Sequence, residues 1–180
     1  TDNHLLFFSN NFIELIGIGR PATRLLSRIV GASKRYTTEI DLSGFTPSDD
    51  LESEVDPVSV KTPPTREELL STLSRFEGDI MQAPPAFSAI KVDGKRAYQL
   101  ARENKLDSLP ARPTRVHGLS LVDYQWPSAV VDIHCGKGFY VRSLARELGK
   151  ALGTGGYCQS IRRTAVGPFG LEQARTLSQL

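Results

Sequence analysis

The chain has 180 residues, a formal net charge of +2 and 39% hydrophobic residues. This composition excludes wholesale disorder and low complexity, and the length supports one core, or one and a part. Cys135 and Cys158 are the only cysteines, which excludes a disulfide framework and a CxxC zinc site and points to reduced thiols. No apolar run reaches the ~18 residues of a membrane span. The stretch Leu5 to Ile18 is interrupted by Ser9, Asn10, Asn11 and Glu14, and it lacks the basic start and cleavage site of a signal peptide. The charge is uneven: residues 1–60 carry net -4, residues 61–110 carry +1 and residues 111–180 carry +5. A basic end fits a phosphate-rich partner, and equally a solvated surface that happens to be basic.

Thr1 to Asn11 shows neither helical nor strand periodicity. A short helix is expected from Arg20, with Pro21 in its first turn and Gly31 at its end. Tyr36 to Leu42 alternates as a strand, with Tyr36, Thr38, Ile40 and Leu42 on one face. Residues 43–65 hold Asp49, Asp50, Glu52, Glu54 and Asp56 among four prolines. They lack the spacing and turn glycine of a calcium loop, and read as a solvated acidic loop. Thr65 to Glu68 is a capping box for a helix with Leu69, Leu70, Leu73 and Phe76 on its apolar face. Gln82-Ala-Pro-Pro-Ala is a rigid extended turn into a strand, Phe87 to Val92, ended by Asp93-Gly94. A helix from Ala97 to Asn104 follows, then strands Arg115 to Trp126 and Ala129 to Cys135. Gly136-Lys-Gly138 turns the chain into a helix from Tyr140 to Leu152. Its apolar face is Val141, Leu144, Ala145, Leu148 and Leu152, and Arg142, Arg146 and Lys150 make a basic stripe. Gly153 to Gly156 ends it. Tyr157 to Phe169 reads as a strand pair, and Glu172 to Leu180 as the start of a helix. This order predicts an α/β or α+β fold with a substantially antiparallel sheet.

Gly136 to Arg142 is the densest local signal: a glycine turn presents Lys137, Phe139, Tyr140 and Arg142 at a helix start. Backbone N–H groups there can hold phosphate, and aromatics among cations suit unstacked RNA bases. A tight turn with its aromatics in the core is the plainer alternative. Lys34-Arg35-Tyr36 opens the first strand, and Ser88, Lys91, Lys95, Arg96 and Tyr98 form a second basic and aromatic cluster. His4, His117 and His134 share no metal-ligand spacing. No P-loop, GxSxG or HExxH is present.

Four segments occur in order: Lys34-Arg-Tyr36; Ala83-Pro-Pro-Ala-Phe-Ser-Ala-Ile-Lys-Val-Asp-Gly-Lys-Arg-Ala-Tyr98; Cys135-Gly-Lys-Gly-Phe-Tyr-Val-Arg142-Ser-Leu-Ala-Arg-Glu-Leu-Gly149; and Ile161-Arg-Arg-Thr-Ala-Val-Gly-Pro-Phe169. From about Gly17 onward the chain resembles the TruB-type tRNA pseudouridine-55 synthases. The resemblance implies a pseudouridine synthase fold, a mixed, largely antiparallel sheet flanked by helices. It implies binding of the tRNA T-loop, a uridine flipped into a pocket, and no metal or organic cofactor. In the family an aspartate in a Gly-His-x-Gly-Thr-Leu-Asp-Pro motif activates the uridine, and the uracil detaches, rotates and rejoins the ribose through carbon. That motif is expected just before Gly17, where this sequence reads Leu6-Phe-Phe-Ser-Asn-Asn, so no nucleophilic aspartate is assigned and none is expected beside Arg142. The resemblance gives Tyr36 as the base-stacking tyrosine and potential general base, and Arg142 as the partner of the catalytic carboxylate. It places Tyr140 and Ile161 in the pocket wall. Lys34, Arg35, Lys91, Lys137 and Arg163 are candidate phosphate contacts. The implied organisation is an atypical segment 1–16, a partial catalytic domain 17–142 and a truncated C-terminal part 143–180, in a cytoplasmic, monomeric protein. The alternatives are an RNA-binding module without catalysis, and a fragment left with an open sheet edge.

Overall fold

A computed structural model describes residues 4–9, 12–17, 20, 24, 26, 29–106 and 108–174, with backbone only for the first two spans. The sheet is laid down by strands β1 (His4–Ser9), β2 (Phe12–Gly17), β3 (Lys34–Asp41), β6 (Gly78–Gln82), β9 (Arg112–Gln125), β10 (Ser128–Cys135), β11 (Tyr157–Val166) and β12 (Phe169–Gly170). Their order is β1-β2-β11-β3-β10-β9-β6, with β12 paired to β11. Every pairing is antiparallel except β2 with β11. Two short hairpins lie outside it: β4 (Gly44–Phe45) with β5 (Asp56–Pro57), and β7 (Lys91–Val92) with β8 (Lys95–Arg96). The helices are α1 (Arg66–Ser74), α2 (Ala97–Arg102) and α3 (Val141–Leu152).

The sheet's centre forms where strand alternation is cleanest. Tyr36, Thr38 and Ile40 of β3 stand opposite Ile133, Val131 and Ala129 of β10, so one face of both strands is apolar. Helix α3 covers that face with Val141, Leu144, Ala145 and Leu148, all buried, and α1 adds Leu69 and Leu73. Gly153 ends α3 in the left-handed region at φ 69°, as a C-terminal glycine should. Beyond it the chain passes so close to β4 that a Cβ on Gly155 would collide with the backbone of Gly44. Gly155 N–H donates to Leu42 O (2.9 Å) and Gly156 N–H to Gly44 O (2.7 Å), which fixes that crossing.

The mixed, antiparallel class and the elements around β9, β10, α1 and α3 match expectation, including the Thr65–Glu68 capping box. Several expectations need correction. Residues 4–9 and 12–17 pair as antiparallel strands, and β2 runs along β11, at the sheet edge expected to be open. Phe87 to Val92 is not a strand of the main sheet. Pro84 and Pro85 offer no N–H, and Ser88 N–H turns back to Ala86 O (2.9 Å), leaving only Lys91–Val92 paired. The Asp93-Gly94 hairpin turn stands, with φ of 48° and 83°. Leu70 lies on the outer side of α1, 45% exposed. In place of a helix from Glu172, Leu171–Gln173 makes one 3-10 turn, and residues 175–180 lie outside the described residues. Arg20, Arg24, Leu26 and Ile29 are helical; the rest of that expected helix lies outside the described residues. Among the described residues no helix is long and apolar enough to cross a membrane.

Leu148 has no exposed surface and sits beneath the sheet. Leu148→Ala should cost about 2–5 kcal/mol of unfolding free energy in urea titration, and Leu70→Ala less than about 0.5 kcal/mol. Equal effects would reject this assignment of the core face.

Candidate functional site

Helix α3 places Arg142 and Arg146 on one side, next to its apolar face. Both guanidinium groups turn inward. Arg142 Nη1 donates to Asp50 Oδ2 (2.8 Å) and Ser48 O (3.1 Å), and its Nη2 donates to Phe87 O (3.0 Å). One turn on, Arg146 pairs with Asp49 and donates to Ala83 O (2.9 Å). The segments 46–50 and 83–87 are thus drawn against α3 by two arginines that also neutralise two adjacent carboxylates.

This overturns two expectations. Asp49 and Asp50 do not lie in a solvated loop: Asp49 is buried, and Asp50 is half-buried with both oxygens engaged. Besides Arg142, Asp50 accepts from Ser48 Oγ (2.6 Å) and Glu52 N–H (3.0 Å) through Oδ1. Nor is Arg142 without a carboxylate; Asp50 supplies one from 92 positions away. The proposed basic stripe is correspondingly smaller, since two of its three members serve internal charges.

Arg142 opens onto a pocket of about 490 Å³ lined with Asp50, Phe87, Ser88, Tyr140 and Ile161, with Tyr98 and Arg102 also in its wall. Arg102 stacks over the Tyr98 ring at 5.6 Å. The hydroxyl of Ser88 is buried and has no hydrogen-bond partner. Tyr140 is held by its backbone: its N–H donates to Gln82 Oε1 (2.8 Å) and its carbonyl accepts from Gln82 Nε2 (3.1 Å).

Three of the expected site residues, Arg142, Tyr140 and Ile161, therefore share one pocket. Tyr36 does not line it, but stands on the same sheet face: Thr38 is opposite Ile161, and Tyr36 is opposite Arg163. Burial raises the Tyr36 phenol above its ordinary range, reinforced by Cys135 and opposed by Arg163. Arg163 is engaged with Tyr36 there. Lys34 caps a chain turn, donating to Ala32 O (2.8 Å) and Val30 O (3.1 Å), and its ammonium is lowered by burial, with Arg163 and Lys137 adding to that. Lys137 is exposed on the turn before α3, and Lys91 is exposed on the β7–β8 hairpin. Arg35 falls on the opposite face by strand alternation, beside Asp132 and His134. His117 and His134 meet there with ring centroids 4.7 Å apart and planes tilted by 44°. Among the described residues no cluster of three His, Cys, Asp or Glu side chains could hold a metal ion.

Burial pushes the Asp49 carboxyl up to about 6, against the pull of Arg146. A folded value above the unfolded one of ~3.9 contributes stability that is full below pH ~4 and lost as pH rises through about 6. Asp49→Asn removes this titration. Its stability relative to the parent should therefore improve by on the order of 2–3 kcal/mol between pH 4 and pH 7. Urea unfolding at both values measures it, and a variant that falls further behind as pH rises would contradict the assignment.

Comparisons with known proteins identify a family. Residues 15–141 match the model of the TruB family pseudouridylate synthase (N terminal domain), and residues 142–180 match the tRNA pseudouridylate synthase B C-terminal domain. Relatives named tRNA pseudouridine synthase B include that of Arthrobacter sp. (strain FB24), 44% identical over 174 residues, covering 93% of this chain and 56% of the relative. That of Corynebacterium glutamicum (strain R) is 41% identical over 172 residues, covering 93% and 58%. The chain spans about half the length of these relatives. Among solved structures, a Cbf5-Nop10-Gar1 complex aligns with a TM-score of 0.67 at 22% identity, over 98% of this chain and 44% of that one, a likeness of fold.

Proposed function

We propose a function on one premise: the chain belongs to the TruB family of pseudouridylate synthases. In this reading it binds the T-loop of tRNA as a cytoplasmic monomer and takes a flipped uridine into the pocket at Arg142. The observation that carries it is the Arg142–Asp50 pair set between Tyr140 and Ile161, with Phe87 and Ser88 across the cavity. A planar base fits such walls, with aromatic and aliphatic surfaces for its faces and a guanidinium for its polar edge. Tyr36, on the same sheet face, supplies an aromatic surface for stacking. Exposed Lys91 and Lys137, with Lys34 behind them, offer cations for the phosphates of the flanking strand.

Attack on the ribose or the base requires a carboxylate with a free oxygen. Asp50 is held fast, since Ser48 and Glu52 bond its Oδ1 and Arg142 bonds its Oδ2. We assign Asp50 to orienting Arg142, and assign no nucleophile among the described residues. In this reading the chain is a tRNA pseudouridine synthase by family that binds its RNA without turnover, because the family's aspartate motif is not read ahead of Gly17.

The test uses a fluorescent T-arm stem-loop and unmodified tRNA. Anisotropy should show binding that weakens steadily with salt, because lysine and arginine contacts release counterions. Arg142→Gln should weaken it by roughly tenfold, the scale of one lost charge-assisted contact. A carbodiimide-stop assay for pseudouridine should find no product. Equal affinity for an unrelated hairpin would reject the RNA reading. Product that survives in Asp50→Asn would place the nucleophile elsewhere, and product abolished by Asp50→Asn would give Asp50 the role denied it here.

A further inference from the structure

Gln82 is 6% exposed, the last residue of edge strand β6, and its amide is spent on one backbone unit. Tyr140 N–H can only donate and Tyr140 O can only accept, so this network fixes which end of the amide is oxygen. The amide behaves as a strand neighbour would, pairing both polar groups of the residue just before α3. The stitching continues along the chain: Ser143 Oγ (2.8 Å) and Arg146 Nη2 (2.9 Å) donate to Ala83 O, and Arg142 Nη2 donates to Phe87 O (3.0 Å). Pro84 and Pro85 keep the intervening segment extended. The two walls of the pocket, Tyr140 with Arg142 and Phe87 with Ser88, are therefore held together at three levels, of which Gln82 is the first.

We propose that Gln82 is a positioning residue for the pocket: its amide sets where Tyr140 and the first turn of α3 stand relative to the 83–88 wall, and so sets the affinity for the bound nucleotide. Among side chains of this reach, only a terminal amide or a protonated carboxyl both donates and accepts in this way. Without it the Tyr140 N–H loses its partner, while Tyr140 O keeps only the Leu144 N–H (3.2 Å). This inference rests on the RNA-binding reading for its ligand, but not for its geometry.

The experiment measures two things on the full chain. Gln82→Met keeps shape and loses both hydrogen bonds. Hydrogen exchange at the Tyr140 amide should speed up by about tenfold or more, and T-arm stem-loop affinity of the folded variant should fall by about tenfold. Gln82→Glu keeps both hydrogen bonds while its carboxyl is protonated and loses the donor when it ionises. Its affinity relative to the parent should be near one at low pH and fall as pH rises. A purely structural role would lower stability in both variants without moving the affinity of the folded protein or creating that pH profile. Unchanged Tyr140 exchange, or unchanged affinity in folded Gln82→Met, overturns the proposal. If Gln82→Met does not fold, a pH-independent Gln82→Glu ratio overturns it instead. Failure of the parent to bind the RNA rejects the RNA-binding reading, while Tyr140 exchange still decides the role of Gln82.

Discussion

The architecture of the site depends on two guanidinium groups of one helix turning inward. An arginine at the surface of an amphipathic helix ordinarily reaches for water. Here Arg142 and Arg146, one turn apart, each meet a carboxylate and two backbone carbonyls or a neighbouring acid. The carbonyls come from segments far away in sequence, so the same contacts that compensate the buried charges also tie down the pocket walls. Leaving either partner alone in this setting would cost more than the pair itself contributes. The arrangement is therefore self-enforcing: the loops need the arginines for their carbonyls and acids, and the arginines need the loops for their charge.

This arrangement explains why the pocket sits at the start of α3. The apolar side of the helix is fixed on β3, β10 and β11 by Leu144 and Leu148, which leaves its flank to face residues 46–50 and 83–88. Tyr140 ends up at the pocket because it precedes the helix, and Ile161 because β11 runs beside β3. The charge excess of residues 111–180 is a poor guide to an RNA surface here. Part of it is consumed within the fold, by the pairing of Arg142 and Arg146 with Asp50 and Asp49.

The sequence revealed those elements whose order is local. Helix α3 declared itself through its 3.6-residue period and Gly153, α1 through its capping box, and β9 and β10 through alternation. The pairing of β1 with β2 was not legible, because neither segment alternates and β2 joins the sheet beside β11, some 150 positions later. Phe87 to Val92 was misread for the opposite reason: its apolar residues serve a pocket wall rather than a strand. Of the site, Arg142, Tyr140 and Ile161 were legible through resemblance. Asp49 and Asp50 were not, since nothing local separates a buried acid from a solvated one. The available clue was two adjacent acids matched by two arginines at i and i+4, on a helix whose apolar face fixes where that flank points. Gln82 read only as the start of a rigid Gln82-Ala-Pro-Pro-Ala turn, with nothing local to show what its amide bonds.

The central claim is that Arg142 serves Asp50 within the fold. It is tested most directly by a double-mutant cycle of Asp50→Asn and Arg142→Gln, read as unfolding free energies in urea with and without 1 M salt. A half-buried, hydrogen-bonded pair predicts a coupling energy above about 1 kcal/mol that persists in high salt. A coupling below about 0.3 kcal/mol, or one that salt abolishes, is the behaviour of an exposed ion pair and would contradict the account.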